Sequence, residues 1–306
     1  MTSRRQRRAR RRGGSEASGG TAVAPAEAPG AAPARPDPVS ASTVPPFPTS
    51  MGRGVASVTS SPLTLAWTFL SLLVTWGVFV VLGQAPSPPL LASLMSLSPV
   101  HLLVDLPVAF AMGDGVAILA ALAGLGVVRA VTFGVLISLI RDRLEGGPPD
   151  LGRAVRRLPA AMSGLFTMYL VEVALLYAFL SLASQLLGQL APLAVLAALY
   201  FLAYVPVISV IDGGTLQTMF RRGFRAARLP GSRHLTLVAV YFLVFFSSAA
   251  VSPFAFATPA TPSPLVWAFA LVITLIHAGV LGALVYRWLA IRDVVSGEPA
   301  PRRRPS

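Results

Sequence analysis

The 306-residue chain has no cysteine and no lysine, and charged residues make up only 12% of it. Without cysteine there is no disulfide, no thiolate nucleophile and no cysteine-ligated metal. Without lysine, a phosphate-binding loop of the usual form cannot be built. The charged fraction is half the roughly 25% of an average soluble domain. Together with 54% hydrophobic residues in long runs, this places the chain in the membrane class. Other signatures are missing too. There is no paired-histidine zinc motif and no Gly-x-Ser-x-Gly, and Gly124-Leu125-Gly126 lacks a third glycine and sits in an apolar run. No catalytic residue, metal or cofactor is expected, and the chain is not expected to be an enzyme.

What the chain has instead is arginine. All 25 basic residues are Arg, and the formal net charge is +13. In a soluble protein such an excess would suggest nucleic acid. Here the arginines crowd beside apolar runs, which favours anionic lipid headgroups over nucleic acid. Residues 1–60 begin with Arg4, Arg5, Arg7, Arg8, Arg10, Arg11 and Arg12 and continue in Gly, Ala, Ser and Pro. Such a stretch cannot bury enough apolar surface to offset its ordering entropy, so 1–60 is expected to be a disordered Arg/Pro/Ala-rich cytoplasmic tail. The first apolar run lies too far from the basic run for the two to form a secretory signal.

Six segments reach the ~20 apolar residues that a membrane span needs: 63–82, 116–140, 160–187, 190–211, 235–257 and 265–289. Arginine sets their orientation, because cytoplasmic loops hold the Lys/Arg excess. Arg141, Arg143, Arg153, Arg156 and Arg157 fall between the second and third segments. Arg221, Arg222, Arg225, Arg228 and Arg233 fall between the fourth and fifth, and Arg287, Arg292 and Arg302 to Arg304 at and beyond the end of the sixth. The alternate loops carry no arginine. The expected fold is all-α: a polytopic transmembrane helix bundle of six spans over 61–292, N-in/C-in, with short amphipathic interfacial helices and a disordered basic C-terminal tail over 293–306.

Segment 90–112 is long enough to span, but Pro99 and Pro107 interrupt it, and a span there would turn the arginine-rich loops outward. It is expected to lie on, or dip into, the external interface, with Ser98, His101 and Asp105 as its polar stripe. His101 and Asp105 share a helical face, but two ligands do not make a metal site.

The two arginine-rich loops resemble each other: 153–159 reads Arg-Ala-Val-Arg-Arg-Leu-Pro and 225–230 reads Arg-Ala-Ala-Arg-Leu-Pro. The match fits either a duplicated helical hairpin or two turns drawn from one biased alphabet. Leu216, Phe220, Phe224 and Ala227 fall at helical spacing among Arg221, Arg222, Arg225 and Arg228, which predicts a basic amphipathic helix in the cytoplasmic leaflet. Six helices, Ile211-Asp212-Gly213 at the end of the fourth and Phe220-Arg221-Arg222-Gly223-Phe224 after it together resemble bacterial membrane domains of the glycerophosphodiester phosphodiesterase type and their stand-alone relatives. The likeness covers roughly 60–290 in topology. It implies a membrane module, not a phosphodiesterase, that sits beside or is fused to another component in the bacterial inner (plasma) membrane.

A charge at the bilayer centre costs about 2.5–3.5 kcal/mol on insertion scales and needs a reason. Arg129 lies twelve residues before Arg141, about 18 Å from the cytoplasmic edge. Glu172 lies twelve residues into the third segment. The two are expected to face each other as an intramembrane ion pair, read first as a clamp between helices and second as a substrate or proton site. His277, ten residues before Arg287, completes a candidate polar cluster of Arg129, Glu172 and His277. Its expected role is a hydrogen bond to a neighbouring helix, with pairing to Glu172 or proton carriage as alternatives. Gly126, Ala130, Gly134 and Ser138 recur every four residues, a spacing for close helix approach. Pro206 is expected to kink the fourth helix, His234 to be interfacial, and Trp67, Trp267 and Trp288 to mark span ends.

The expected function is a non-enzymatic scaffold or accessory module. Its Arg153, Arg156, Arg157, Arg221, Arg222, Arg225 and Arg228 would contact anionic lipid headgroups or an acidic membrane-protein partner. A small-solute transporter with a site around Arg129, Glu172 and His277 is the alternative, and a membrane-bound lipid enzyme the third.

Overall fold

The computed structural model describes residues 44–82, 92–93, 96–97, 105, 108–186 (backbone only from 179), 196–197, 200–229, 233–243, 247 and 264–297. All lie in the compact unit Val39–Ser306. Among the described residues the secondary structure is helical throughout, with no strand. The main helices are α1 (Phe47–Thr59), α2 (Pro62–Val81), α3 (Gly115–Leu144), α4 (Leu151–Leu186), α5 (Val205–Ile211), α6 (Leu216–Ala227), α7 (His234–Leu243) and α8 (Pro264–Ser296). Four stretches are long and apolar enough to cross a membrane: Pro62–Val81, Gly115–Leu144, Leu151–Ala178 and Pro264–Ser296. They match the first, second, third and sixth expected spans. Of the fourth and fifth, the described parts are the shorter apolar helices Tyr200–Ile211 and His234–Leu243; the rest falls mainly on residues outside the description.

Local chemistry starts these helices where the sequence turns apolar. Ser61 caps α2, accepting from the Thr64 amide at 3.3 Å, with Pro62 as the first helical residue. A proline is preorganised there and has no N–H to leave unpaired. Asp114 caps α3 by accepting from the Ala117 amide at 3.4 Å, and Thr215 caps α6 by accepting from the Thr218 amide at 3.3 Å. The Asp150 carboxylate accepts from the Arg153 amide at 3.1 Å at the start of α4. That backbone N–H, foremost, holds the Asp150 carboxyl below its ordinary range, because it stabilises the charged form.

The small-residue face of α3 meets α4. A Cβ added to Gly126 would come 2.7 Å from Tyr169 Cδ1, and one added to Gly134 would come 2.5 Å from Leu158 Cδ1. Ala130 packs with Ala161 and Leu165 between them. On the other side, the Trp67 indole N–H donates to the Thr132 carbonyl at 3.2 Å and ties α2 to α3. Trp76 meets Trp267 edge-on at 5.5 Å and ties α2 to α8.

Several expectations are corrected. The tail does not run to residue 60, because 47–59 form α1, with Ser50, Gly54, Ser57 and Val58 buried. Composition hid this helix: its buried face is made of small residues, and its partner is the equally small face of α8 at Gly279, Gly282 and Ala283. At the other end, α8 continues through Ser296 with Val295 buried, so the C-terminal boundary at 293 also moves. Helix α4 begins at Leu151, and Arg153, Arg156 and Arg157 belong to it rather than to a loop. Pro159 is carried inside it. Pro159 and Val155 are both on the exposed side, so the Val155 carbonyl that loses its helical donor faces outward. The two look-alike arginine segments therefore differ locally, since the first is continuous with a long helix and the second closes the twelve-residue α6 at Arg228. Pro206 does more than kink a helix. Residues 203–204 form a turn, and Pro206 sits in the first turn of the separate α5. Trp288 and His234 are both buried inside the protein.

Candidate functional site

Arg129 is the centre of the buried polar structure. Its position in α3 is fixed by the α3–α4 seam one turn either side of it. Its guanidinium makes a two-toothed contact with Asp105: Nε to Oδ2 at 3.3 Å and Nη2 to Oδ1 at 2.8 Å. Nη1 donates to the Ser96 carbonyl at 3.3 Å and, at the limit of a hydrogen bond, to the Thr75 hydroxyl at 3.5 Å. Arg129 is 3% and Asp105 0% exposed. Four of the five N–H donors of this arginine thus have acceptors from three other parts of the chain. Tyr169 of α4 lies close enough to this pair to feel both charges. A fork-to-carboxylate geometry of this kind is the strong form of an ion pair.

The expected Arg129–Glu172 pair is therefore corrected to Arg129–Asp105. Counting residues inward from 160 set Glu172 at the depth of Arg129, but the helix register differs. Gly126 of α3 is the residue that meets Phe166 and Tyr169, and Val173 packs on the cluster of Ala121 and Leu122. Glu172 lies level with residues near 122, about 10 Å along the axis from Arg129 at 1.5 Å per residue. It is buried, and among the described residues no ion pair reaches it. Asp105 was the missed partner. The signal was present: it is the one acid in an apolar segment, and a buried arginine demands an acid.

The same contacts draw part of segment 90–112 into the protein. Ala92, Ser93, Ser96, Leu97, Asp105, Val108 and Ala109 are all buried. His101, Ser98 and the two prolines fall outside the described residues. His277 of α8 belongs to the neighbourhood of this segment rather than to Glu172. It is fully buried, faces the Ser93 backbone and packs against Tyr241 at 5.5 Å between rings. The expected cluster of three therefore separates into an Arg129–Asp105 centre, Glu172 beyond it, and His277 beside Ser93 and Tyr241.

At the arginine-rich end the seven expected headgroup arginines divide into two groups. Arg157 and Arg153 pair with the buried Asp142 of α3 at 2.8 and 3.4 Å, and Arg222 reaches Asp212 at 4.0 Å. Asp212 also accepts from the Trp288 indole at 3.0 Å. Burial raises its carboxyl above the ordinary range, against the lowering effects of Trp288 and the surrounding arginines. Glu145 completes this belt with Arg141 at 3.2 Å and Arg292 at 3.9 Å. By contrast Arg156, Arg221, Arg225 and Arg228 are exposed, and among the described residues none of them has a carboxylate partner. Arg228 lies over the Phe201 ring at 5.6 Å. Arg287 is buried and donates to the Pro45 carbonyl from Nε and Nη2 at 3.4 and 3.3 Å.

Among the described residues, no three side chains of His, Cys, Asp or Glu gather as a metal site would require. Compared with protein-family models, with curated proteins and with solved structures, the chain matches none.

Proposed function

We propose that this chain is a six-span integral membrane protein of the bacterial inner membrane, with both termini cytoplasmic, acting as a non-enzymatic scaffold or accessory module whose arginine-rich face contacts anionic lipid. The observation that carries the reading is the occupancy of Arg129. A substrate site needs free donors, and this guanidinium already has acceptors from Asp105, Ser96 and Thr75. A closed network of this kind orders the chain around it. The resemblance to phosphodiesterase-type membrane domains fits the same reading, as a module that works beside another component.

A small-solute transporter is the second reading, favoured by Glu172, a buried acid to which no described cation is paired. The two readings are separated by Arg129→Gln and Asp105→Asn in proteoliposomes, scored for uptake of amino acids, sugars and organic anions and for thermal stability. The scaffold reading expects wild-type uptake equal to that of empty liposomes and a lowered melting temperature in both variants. Wild-type uptake that vanishes in either variant at unchanged stability makes the chain a transporter.

A further inference from the structure

We infer that α6 carries the lipid site of this protein: Arg221, Arg225 and Arg228, with Phe224 between them, bind the phosphate headgroups of anionic lipids in the leaflet at the arginine-rich end. This rests on the proposed reading of a lipid-contacting face and narrows it from seven arginines to three.

The helix is two-faced. Met219, Gly223, Ala226 and Ala227 are buried, and a Cβ added to Gly223 would come 3.1 Å from Val205 of α5. Gln217, Arg221, Phe224, Arg225 and Arg228 are all exposed, and their spacing of four, three, one and three places them on one face. The helix is anchored at the level of the helix ends. It follows directly on Asp212, which is bonded to Trp288 of α8, and the Tyr200 hydroxyl donates to the Ala227 carbonyl at its far end at 2.7 Å.

Charge and shape select the ligand. From Gly213 to Arg233 there are five arginines and no acid. Of the four in α6 and its cap, only Arg222 turns inward to a carboxylate. Guanidinium forks match phosphate oxygens in a way that a single ammonium does not. Phe224, 38% exposed in the middle of this face, has no use in a purely ionic contact with a soluble acidic surface. On an in-plane helix an aromatic among cations enters the boundary between headgroups and acyl chains. Arg153 and Arg157 hold Asp142 instead and leave Arg156 as the one exposed arginine of the 153–157 cluster, so that cluster mainly joins helices and the lipid contact falls to the second.

The test uses the whole protein in nanodiscs of phosphatidylcholine with a minor fraction of phosphatidylglycerol, comparing wild type, the triple variant Arg221→Gln/Arg225→Gln/Arg228→Gln, and Arg157→Gln. Lipid retained by the released protein is read by native mass spectrometry, and melting is followed in parallel. The wild type is expected to retain phosphatidylglycerol over phosphatidylcholine, and the triple variant to lose that preference by roughly 100-fold, as about 1 kcal/mol for each of three arginines gives, while melting as the wild type does in pure phosphatidylcholine. Arg157→Gln is expected to melt lower and keep the preference. A triple variant that retains phosphatidylglycerol like the wild type overturns the α6 site and leaves the broader reading standing. A wild type with no preference defeats the broader reading itself. Polyglutamate binding is measured on the same three proteins, and its loss in the triple variant with lipid retention unchanged overturns the inference in favour of an acidic protein partner.

Discussion

Two glycines two residues apart in α1 should respond in opposite ways to the same change. Gly52 has nothing within 4 Å of the place where a Cβ would stand. Gly54 lies against α8, where its added Cβ would meet the backbone of Gly279 and Ala283, and in return a Cβ on Gly282 would come 2.7 Å from the Gly54 carbonyl oxygen. Backbone on both sides cannot rotate away, so the helices must part. Replacing Gly by Ala inside a helix stabilises it by about 0.5–1 kcal/mol through reduced chain entropy. At Gly52 that gain stands alone. At Gly54 overpacking opposes it by about 1–3 kcal/mol, and a gap of 0.5–1 Å also forfeits about a quarter to a half of each dispersion contact along the seam. Gly52→Ala should therefore raise stability slightly, and Gly54→Ala should lower it by about 1–2 kcal/mol. Gly279→Ala should fall between them, because the atom it meets is Val55 Cγ2, a side chain on a half-exposed residue. The assay is a denaturation series in one nanodisc or micelle preparation, with all three variants side by side. Equal shifts at positions 52 and 54 would refute the seam, and with it the packing of α1 on α8.

Two more outcomes can be measured directly. The chain has no cysteine, so single introduced cysteines report topology without background: with six spans and both termini inside, Thr261→Cys should react with a membrane-impermeant maleimide in intact cells and Gln217→Cys only after lysis, and the reverse pattern would sink the orientation. Asp212 should make stability depend on pH: its folded carboxyl titrates above the ordinary value because of burial, so the folded state holds the proton more tightly, and its contribution is complete below about pH 3.9 and lost as pH rises through the folded value. Asp212→Asn keeps an acceptor for Trp288 and should flatten that acid-range dependence in a melting series; an unchanged slope would remove Asp212 as its source.

The sequence made the long apolar helices legible because a run of some 20 apolar residues has few other uses. It also made α6 legible, because its arginines recur at helical spacing. It did not reveal α1. Phe47–Thr59 contains little that is apolar, and its burial depends on a glycine meeting other glycines more than 220 residues away. No property of residues 47–59 taken alone contains that match. The buried arginine was legible as needing an acid, but choosing between Glu172 and Asp105 required the register of α3 on α4. Register is set by which side chain fills the space above Gly126, and Tyr169 fills it. Depth counted along a helix fails whenever the starting point is misplaced, and α4 starts nine residues before 160.

The polar contacts share a pattern that bears on function. Several of the shorter pieces are joined to a long helix by a polar link: Ser96 and Asp105 to α3 through Arg129, α1 to α8 through Arg287 and the Pro45 carbonyl, the end of α1 to α3 through Arg143 and the Ser60 hydroxyl at 3.1 Å, and the turn after α5 to α8 through Asp212 and Trp288. In an apolar solvent, hydrophobic burial does little to choose between helix partners, and close packing with hydrogen bonds does most of the choosing. Removing one partner of a buried pair costs about 3–5 kcal/mol in soluble proteins because the other charge is left uncompensated. Links of that kind define a single arrangement more than they add stability. They are placed where elements lack the length or the apolar surface to hold position unaided. A transporter would need at least one of them to exchange partners during its cycle. In the arrangement described, Arg129 has Asp105, Ser96 and Thr75 as partners at once, with four of its five donors engaged, and a ligand needing more than the remaining donor would have to displace one of them, which is the physical reason for reading this centre as architecture and looking to the unpaired face of α6 for contact with the surroundings.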